Sequence, residues 1–156
     1  MKEWADRLAD IARRAGDDIM TVYAQDFAVT EKVDASPLTQ ADLAAHRCIV
    51  SLLPDLDGGL PILSEESAHI DWPARRAWSR YWLVDPLDGT KEFIKRNGEF
   101  AVNIALIENG KPILGVIASP VNEDFIVGGP NLGVQYATFQ NFINGAKPTP
   151  IQRNTL

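Results

Sequence analysis

The sequence has a single cysteine, no long apolar run and no excess of basic residues, and each shortage excludes a class of protein. Cys48 is the only cysteine among 156 residues, so no intrachain disulfide can form and a reducing, cytoplasmic compartment fits best. No apolar run approaches transmembrane length, so we expect a soluble domain, with peripheral attachment at the inner membrane as the alternative. The net charge of −6 argues against a nucleic-acid polymer as a partner.

What the sequence does contain is enough apolar residue for one folded domain. Hydrophobic residues make up 46% of the chain, and its length suits one ordinary domain. From Trp4 to Val22 the apolar residues recur with a helical period, which predicts an amphipathic helix. A second helix is predicted from Gln40 to Leu53, with Thr39 as its N-cap and Asp42 three positions on.

After Gly59 the pattern becomes typical of strands. The Asn109-Gly110 pair predicts a two-residue hairpin turn, and the Tyr81–Val84 run predicts a buried strand. The predicted strands cover residues 61–64, 81–84, 100–107, 113–117, 125–127 and 134–139. Helices followed by strands predict an α+β domain, in which two N-terminal helices pack on a largely antiparallel sheet.

The most informative segment is Asp85-Pro86-Leu87-Asp88-Gly89-Thr90, which follows the predicted buried strand. Pro86 and Gly89 favour a tight turn that aims the carboxylates of Asp85 and Asp88 to one side. Hard cations such as Mg²⁺ prefer oxygen ligands, and Glu65 lies twenty residues earlier, after another short strand. Spacing alone leaves two interpretations open: half of a metal site, or a turn built from residues that favour turns.

This segment closely resembles the signature of the Mg²⁺-dependent phosphomonoesterases of the inositol monophosphatase superfamily. The segments Ser36–Asp42 and Leu63–Ser67 resemble the other N-terminal motifs of that superfamily, in the same order. The continuation Lys91-Glu92-Phe93 resembles one branch, the bacterial 3'(2'),5'-bisphosphate nucleotidases of the CysQ type. The resemblance extends over nearly the whole chain and implies the N-terminal half of the αβαβα sugar-phosphatase fold.

The resemblance also implies site residues by matching position. It implies a Mg²⁺ site whose ligands are Glu65, Asp85, Asp88 and the Leu87 carbonyl. It implies substrate contacts from Glu65, Leu87, Asp88, Gly89 and Thr90, with the backbone amides of Gly89 and Thr90 on the phosphate. It implies a catalytic set of Asp42, Thr90 and Glu65, in which Thr90 and Asp42 together orient the attacking water. Glu66 would either support a metal ligand without touching the metal or bind a water molecule of the site.

Several of these residues also have structural interpretations. Asp42 sits where a capping residue belongs, and the Thr90 hydroxyl can bond its own backbone. His46 and Cys48 lie within the second predicted helix without a His/Cys cluster, which favours structural roles. Three basic residues after the turn fit either attraction of an anionic substrate or a solvated face: Lys91, Lys95 and Arg96.

The implied activity is Mg²⁺-dependent hydrolysis of a phosphate monoester. The branch implies 3'-phosphoadenosine 5'-phosphate as substrate, as in the recycling that accompanies sulfate activation. One rival is an inositol-phosphate or sugar-phosphate phosphatase of the same superfamily. Other rivals are a non-catalytic metal- or phosphate-binding module and a purely structural domain.

In one respect the chain departs from the superfamily, whose members carry a second domain with a Trp-Asp motif. No Trp-Asp pair occurs in this sequence, so we expect residues 1–156 to be the N-terminal domain only, with the C-terminal domain absent. We therefore expect weak or no activity from the chain alone. We also expect an exposed apolar face, through which a homodimer would form.

Overall fold

The fold is seen in a computed structural model that describes residues 1–34 and 37–152. Ser36, the first residue of one motif above, lies outside the described residues. The helices are α1 (Lys2–Tyr23), α2 (Gln40–Leu52), α3 (Pro54–Asp57), α4 (Trp72–Arg76), α5 (Thr90–Lys95) and α6 (Phe139–Ile143). The strands are β1 (Val29–Glu31), β2 (Pro37–Thr39), β3 (Ile62–Ser64), β4 (Arg80–Asp88), β5 (Ala101–Glu108), β6 (Lys111–Ser119), β7 (Asp124–Gly129), β8 (Gly133–Thr138) and β9 (Thr149–Pro150).

The main sheet confirms the predicted α+β class. Within the described residues it has seven strands in the order β3-β4-β5-β6-β7-β8-β9, and β1 pairs separately with β2. Neighbouring strands are antiparallel except β3 and β4, which are parallel. Helix α1 packs on β5, β6 and β7, while α2 packs on α1 and β4. The two N-terminal helices thus cover one face of a largely antiparallel sheet, as predicted.

Both long helices form where their local sequence predicts them. The buried face of α1 includes Leu8, Ala12, Ala15 and Ile19, which are fully shielded from solvent. Their spacing of three or four residues places them on one side of the helix. Helix α2 begins with the predicted cap and ends at Leu52, one residue before the predicted end, where α3 starts with a proline.

Strand β4 differs from its prediction in length and in burial. It continues past Val84 to Asp88, and Leu83 is 44% exposed although Trp82 and Val84 are buried. The predicted tight turn at Asp85 is therefore wrong. Asp85 pairs with Asn103 and Asp88 with Ala101, so three residue steps of β4 face two of β5 and the strand bulges. Pro86 has no N–H to donate to the ladder, which explains why the irregularity falls here.

The face of the sheet opposite α1 and α2 is apolar and exposed. Leu83, Ile117, Ile126, Val134 and Tyr136 lie on it with exposed fractions of 38–55%. All of them except Tyr136 border a groove of about 770 Å³ that also includes Glu65 and Asp85. An exposed apolar face was predicted, whereas the homodimer through it stays a prediction. No helix among the described residues combines the length and apolar character needed to span a membrane.

Candidate metal and phosphate site

The parallel pair of β3 and β4 positions the first two carboxylates. Ser64 lies opposite Val84, and the Glu65 N–H donates to the Val84 carbonyl at 3.0 Å. Glu65 and Asp85 therefore leave neighbouring strands at the same level. Their side chains are close enough to share a hydrogen bond when one of them is protonated.

A cavity of about 220 Å³ gathers most of the residues that the sequence singled out. It includes every predicted metal ligand and every predicted substrate contact. The lining residues are Glu65, Asp85, Leu87, Asp88, Gly89, Thr90, Lys91 and Glu92. Asp42 is not among them, and it reaches the cavity only through Thr90. The cavity is smaller than the 300–1,000 Å³ or so of sites that enclose a whole drug-sized ligand, so its size suits a phosphate group rather than a nucleotide.

Asp85 is a carboxyl group of this cavity that is costly to ionise. Burial, together with the charges of Glu65 and Asp88, raises the pKa of Asp85 to about 7, although the Leu87 N–H opposes the shift. Its Oδ1 atom is buried and has no hydrogen-bond partner among the described residues. A carboxylate that is costly to ionise and has an unused oxygen is a fitting ligand for a cation, which would relieve both problems.

The acidic side chains are near one another but do not form a closed cluster. Among the residues that the structure describes, no group of three or more His, Cys, Asp or Glu is arranged to hold a metal ion. Asp88 is turned toward β5, where its Oδ2 accepts a hydrogen bond from Asn103 Nδ2 at 3.0 Å. Glu65 accepts one from Lys32 Nζ at 3.1 Å. Each of these two carboxylates therefore has another partner in this state.

Asp42 and Thr90 are in contact, as the resemblance implied. Thr90 Oγ1 donates to Asp42 Oδ1 at 2.9 Å, while Asp42 Oδ2 accepts from the Thr39 N–H at 2.8 Å and from Thr39 Oγ1 at 2.6 Å. Asp42 is only 1% exposed. The structural interpretation of Asp42 as a cap is thus also correct, because one carboxylate holds the start of α2 and the Thr90 hydroxyl. The role of this pair in catalysis stays a prediction.

Gly89 has a structural reason to be glycine that the sequence did not reveal. Its φ of 92° lies in the left-handed region. A Cβ atom there would lie 2.8 Å from the Glu99 carbonyl oxygen and 3.3 Å from Phe100 Cα. The close approach that requires glycine here is made by the chain itself, between the end of β4 and the segment before β5.

Replacing Gly89 with alanine is expected to destabilise the fold because both the positive φ and the contact with Glu99 become strained. We expect a loss of about 2–4 kcal/mol in the free energy of unfolding, measured by urea denaturation. Gly110→Ala is the matched control, since Gly110 has a φ of 75° but open space around its Cβ position. Equal losses for the two variants would contradict the role of the Glu99 contact.

Sequence reasoning missed Lys32 and Asn103. Lys32 contacts Glu66 Oε1 in addition to Glu65, and it comes from a polar stretch 33 residues before Glu65 in the chain. Nothing local distinguishes Lys32 from a surface lysine. Asn103 could have been noticed in the sequence, because it is the only amide in the otherwise apolar run 101–107. A register that pairs β4 with β5 would have placed it beside Asp85.

Glu66 and Lys32 form a largely buried ion pair. Burial raises the pKa of Glu66, and the Lys32 ammonium opposes that shift only in part. Burial by itself would lower the pKa of Lys32, but hydrogen bonds and charge from Glu66 and Glu65 raise it overall. Lys32 therefore stays protonated at neutral pH. Glu66 thus has a cationic partner, and its implied role as a supporting or water-binding neighbour of the site stays a prediction.

Other residues considered at first have structural roles. Arg96 is exposed and donates to the Tyr23 and Gln25 carbonyl oxygens at 2.5 and 2.6 Å, which favours the solvated face over a substrate contact. His46 Nδ1 lies 2.9 Å from Ser64 Oγ and links α2 to the end of β3. Burial raises the pKa of Cys48 to about 11, which keeps its thiol protonated. Lys91 lines the cavity, and Lys95 lies 3.9 Å from Glu92 on the exposed surface.

Comparison with known proteins shows which family this sequence belongs to. A sequence model of the inositol monophosphatase family matches residues 1–155. The 3'(2'),5'-bisphosphate nucleotidase CysQ of Escherichia coli strain K12 is 58% identical over 118 residues, which are 74% of this chain and 48% of that protein. The chain therefore spans about half the length of the curated relatives it matches.

Solved structures give the same result. The crystal structure of CysQ from Bacteroides thetaiotaomicron, a bacterial member of the inositol monophosphatase family, is 38% identical with a TM-score of 0.77. The alignment covers 99% of this chain and 60% of that one. An IMPase/NADP phosphatase complexed with Mg²⁺ and phosphate has a TM-score of 0.66 at 17% identity, over 77% of this chain and 45% of that one. At that identity the likeness concerns the fold alone.

Proposed function

We propose that this chain, which belongs to the inositol monophosphatase family, binds Mg²⁺ and a substrate phosphate in the cavity between β3, β4 and α5. The observation that carries the proposal is Asp85, a half-buried carboxylate whose Oδ1 atom is buried without a partner among the described residues and whose pKa is raised to about 7 beside Glu65. Glu65, Asp85 and the Leu87 carbonyl would hold one ion, and Asp85 and Asp88 would contribute to a second. Bound Mg²⁺ would neutralise phosphate oxygens and lower the pKa of water.

Thr90 is proposed to orient the water that attacks phosphorus. Its hydroxyl has a single proton, which is best placed toward Asp42 at 2.9 Å rather than toward the Leu87 carbonyl at 3.3 Å. The lone pairs of Thr90 Oγ1 are then available to accept a hydrogen bond from the attacking water. Since phosphoryl transfer depends mainly on positioning and charge neutralisation, this arrangement needs no side-chain nucleophile.

The phosphate is proposed to lie against the start of α5. Gly89 and Thr90 begin that helix, where the first amide N–H groups have no partner within the helix. Lys91 lines the same cavity and adds a positive charge. The Thr39 and Thr90 contacts of Asp42 fix the position of Thr90 relative to α2, so the phosphate contact and the water contact are held by one network.

The proposed substrate is 3'-phosphoadenosine 5'-phosphate, which would place the protein in sulfur assimilation. The identity of 58% to a 3'(2'),5'-bisphosphate nucleotidase supports this choice over an inositol phosphate or sugar phosphate. The cytoplasmic location is likewise a proposal, supported by the single cysteine. The comparisons give no support to attachment at the inner membrane.

Turnover by these residues alone is proposed to be weak. Residues 1–156 are proposed to be the N-terminal domain of this fold, and the groove beside Glu65 and Asp85 is open to solvent. An open site loses the exclusion of water and the substrate positioning that a closed site supplies. The favoured rival is therefore a module that binds metal and phosphate without turnover.

Phosphate release from 3'-phosphoadenosine 5'-phosphate, measured with the purified chain at several Mg²⁺ concentrations, tests the proposal. We expect slow release that needs Mg²⁺, exceeds release from inositol 1-phosphate and is abolished by Asp88→Asn. Asp26→Asn, an exposed acid outside the cavity, is the matched control and should behave as the parent chain.

Three other outcomes would each correct a different part of the proposal. Release without Mg²⁺ would refute the metal-dependent reaction. Turnover equal to that of a full-length nucleotidase would refute the weak-turnover proposal. Calorimetric binding of Mg²⁺ and phosphate without any release would favour the binding module.

A further inference from the structure

We propose that the ammonium group of Lys32 competes with the metal ion for the carboxylate of Glu65. In this proposal its ammonium group contacts Glu65 and Glu66 when no metal is bound, and it must leave Glu65 before a divalent cation can bind there. The inference rests on the proposed function, because it presumes that Glu65 and Asp85 bind a metal. It adds a residue that sets the metal affinity from outside the ligand set.

Lys32 is held in place by two carboxylates and is mostly shielded from solvent. Its Nζ atom lies 3.1 Å from Glu65 Oε1 and also contacts Glu66 Oε1. Only 18% of the Lys32 side chain is exposed, although most lysine side chains extend into solvent. One ammonium group thus bridges two consecutive carboxylates, one of which lines the proposed metal cavity.

The two carboxylates differ in a way that lets Lys32 release one of them. The Glu66 side chain is only 6% exposed, whereas the Glu65 side chain is 51% exposed. Losing its cationic partner would leave Glu66 with a buried, uncompensated charge, which is costly. Glu65 can exchange Lys32 for water or for a metal at little cost. Lys32 can therefore remain on Glu66 while Glu65 turns to a cation.

The strand pair that carries Lys32 also favours such an exchange. Lys32 directly follows β1, which pairs with β2 outside the main sheet, and every residue of β1 is exposed. The ammonium group is thus brought to the acidic cavity by a peripheral strand pair rather than by the core. Strand β2 ends at Thr39, whose side chain contacts Asp42. Lys32 and the Asp42–Thr90 network are in this way linked through one short strand pair.

Charge explains the direction of the expected effect. A positive group next to the site repels a divalent cation and also holds the carboxylate that the cation needs. Removing it should therefore tighten binding of Mg²⁺ by roughly tenfold, given the size of charge interactions at separations of a few ångströms near a protein surface. A lysine that only stabilised the fold would leave the dissociation constant unchanged.

Isothermal titration calorimetry of the full chain with Mg²⁺ tests this inference. We expect Lys32→Met to lower the dissociation constant about tenfold and Lys32→Arg, which keeps the charge, to leave it near the parent value. Lys111→Met changes the net charge equally at the β5–β6 turn and should have little effect. Lys32→Gln, which can still hydrogen-bond Glu66, replaces Lys32→Met if the methionine variant unfolds, and it should tighten binding in the same direction.

An unchanged or weaker affinity in both neutral variants, with Mg²⁺ binding by the parent chain intact, would overturn the role of Lys32 alone. The absence of Mg²⁺ binding by the parent chain and by all variants would overturn the proposed metal site together with this inference. Thermal unfolding with and without Mg²⁺ distinguishes a purely structural role of Lys32 from competition with the metal. That role predicts the same loss of Tm in both conditions, whereas competition predicts a larger Mg²⁺-induced rise in Tm for Lys32→Met than for the parent chain.

Discussion

Replacing Asp85 with asparagine is expected to abolish Mg²⁺ binding and, in the absence of metal, to raise the thermal stability of the protein above pH 7. The first effect follows from the loss of a charged ligand. Groups that merely support a metal ligand contribute about 10–100-fold to affinity, so we expect a loss of at least about 100-fold for the ligand itself. The second effect follows from the raised pKa of Asp85, which burial and the neighbouring carboxylates bring to about 7.

The sign of the stability effect depends on which form the fold prefers. In the unfolded chain an aspartate titrates near a pKa of about 3.9, so the raised pKa means that the fold favours the protonated carboxyl. The metal-free protein gains most from Asp85 below a pH of about 3.9, and it loses that gain progressively as the pH rises to and through about 7. Asparagine resembles the protonated form and avoids the loss.

Thermal unfolding in a chelating buffer at pH 5 and pH 8 measures this effect. We expect Asp85→Asn to exceed the parent chain at pH 8 by roughly 3 °C or more, the shift that about 1 kcal/mol produces in a chain of this size. The difference should be clearly smaller at pH 5, and it should reverse at pH 8 once Mg²⁺ stabilises the parent chain. Asp26→Asn controls for the loss of one exposed acid. A variant that is less stable than the parent at pH 8 without metal would contradict the raised pKa.

Replacing Asp42 with alanine is expected to weaken the fold and to prevent turnover. Asp42 accepts three hydrogen bonds in the protein interior, from the Thr39 N–H, Thr39 Oγ1 and Thr90 Oγ1. Alanine would leave these donors without their charged acceptor. We expect a loss of about 3 kcal/mol, which corresponds to a fall in Tm of roughly 6–12 °C.

Two further variants separate stability from catalysis at this position. Thr138→Ala removes the N-cap of α6, whose hydroxyl accepts from the Asn141 N–H at 3.2 Å, and should cost only about 1 kcal/mol. Thr90→Val keeps the Thr39 contacts of Asp42, so it should lower phosphate release far more than Tm. If Asp42→Ala cost no more than Thr138→Ala, Asp42 would be an ordinary cap. Unchanged phosphate release by Thr90→Val would refute the proposed orientation of water.

The elements that the sequence predicted well depend on neighbouring residues. Helix α2 is flanked in the sequence by its N-cap, Thr39, and by Pro54, before which it ends. Asn109 and Gly110 adopt the positive φ values that a two-residue hairpin turn needs. The Thr90 contact of Asp42 spans 48 residues, and it was found through the ordered motifs of the family rather than from local pattern.

The features that the sequence did not predict depend on pairing across the fold. The continuation of β4 to Asp88 is fixed by its register with β5, which no residue of β4 reveals. Leu83 is exposed because it lies on the face of the sheet opposite α1 and α2, although the apolar run resembled a strand buried on both faces. Lys32 directly follows β1 and contacts Glu65 and Glu66 from the β1–β2 pair, more than 30 residues away in the chain.

The parallel pairing of β3 with β4 fixes the spacing of the two carboxylates through the main chain rather than through the segment that joins these strands. The Glu65 N–H is bonded to the Val84 carbonyl, so the main chain itself holds the first carboxylate next to the second. Residues 68–77 between them include one short helix with no buried residue. That connection is therefore the place where the chain can tolerate insertions or an engineered reporter, while the spacing of the two carboxylates stays fixed by the sheet.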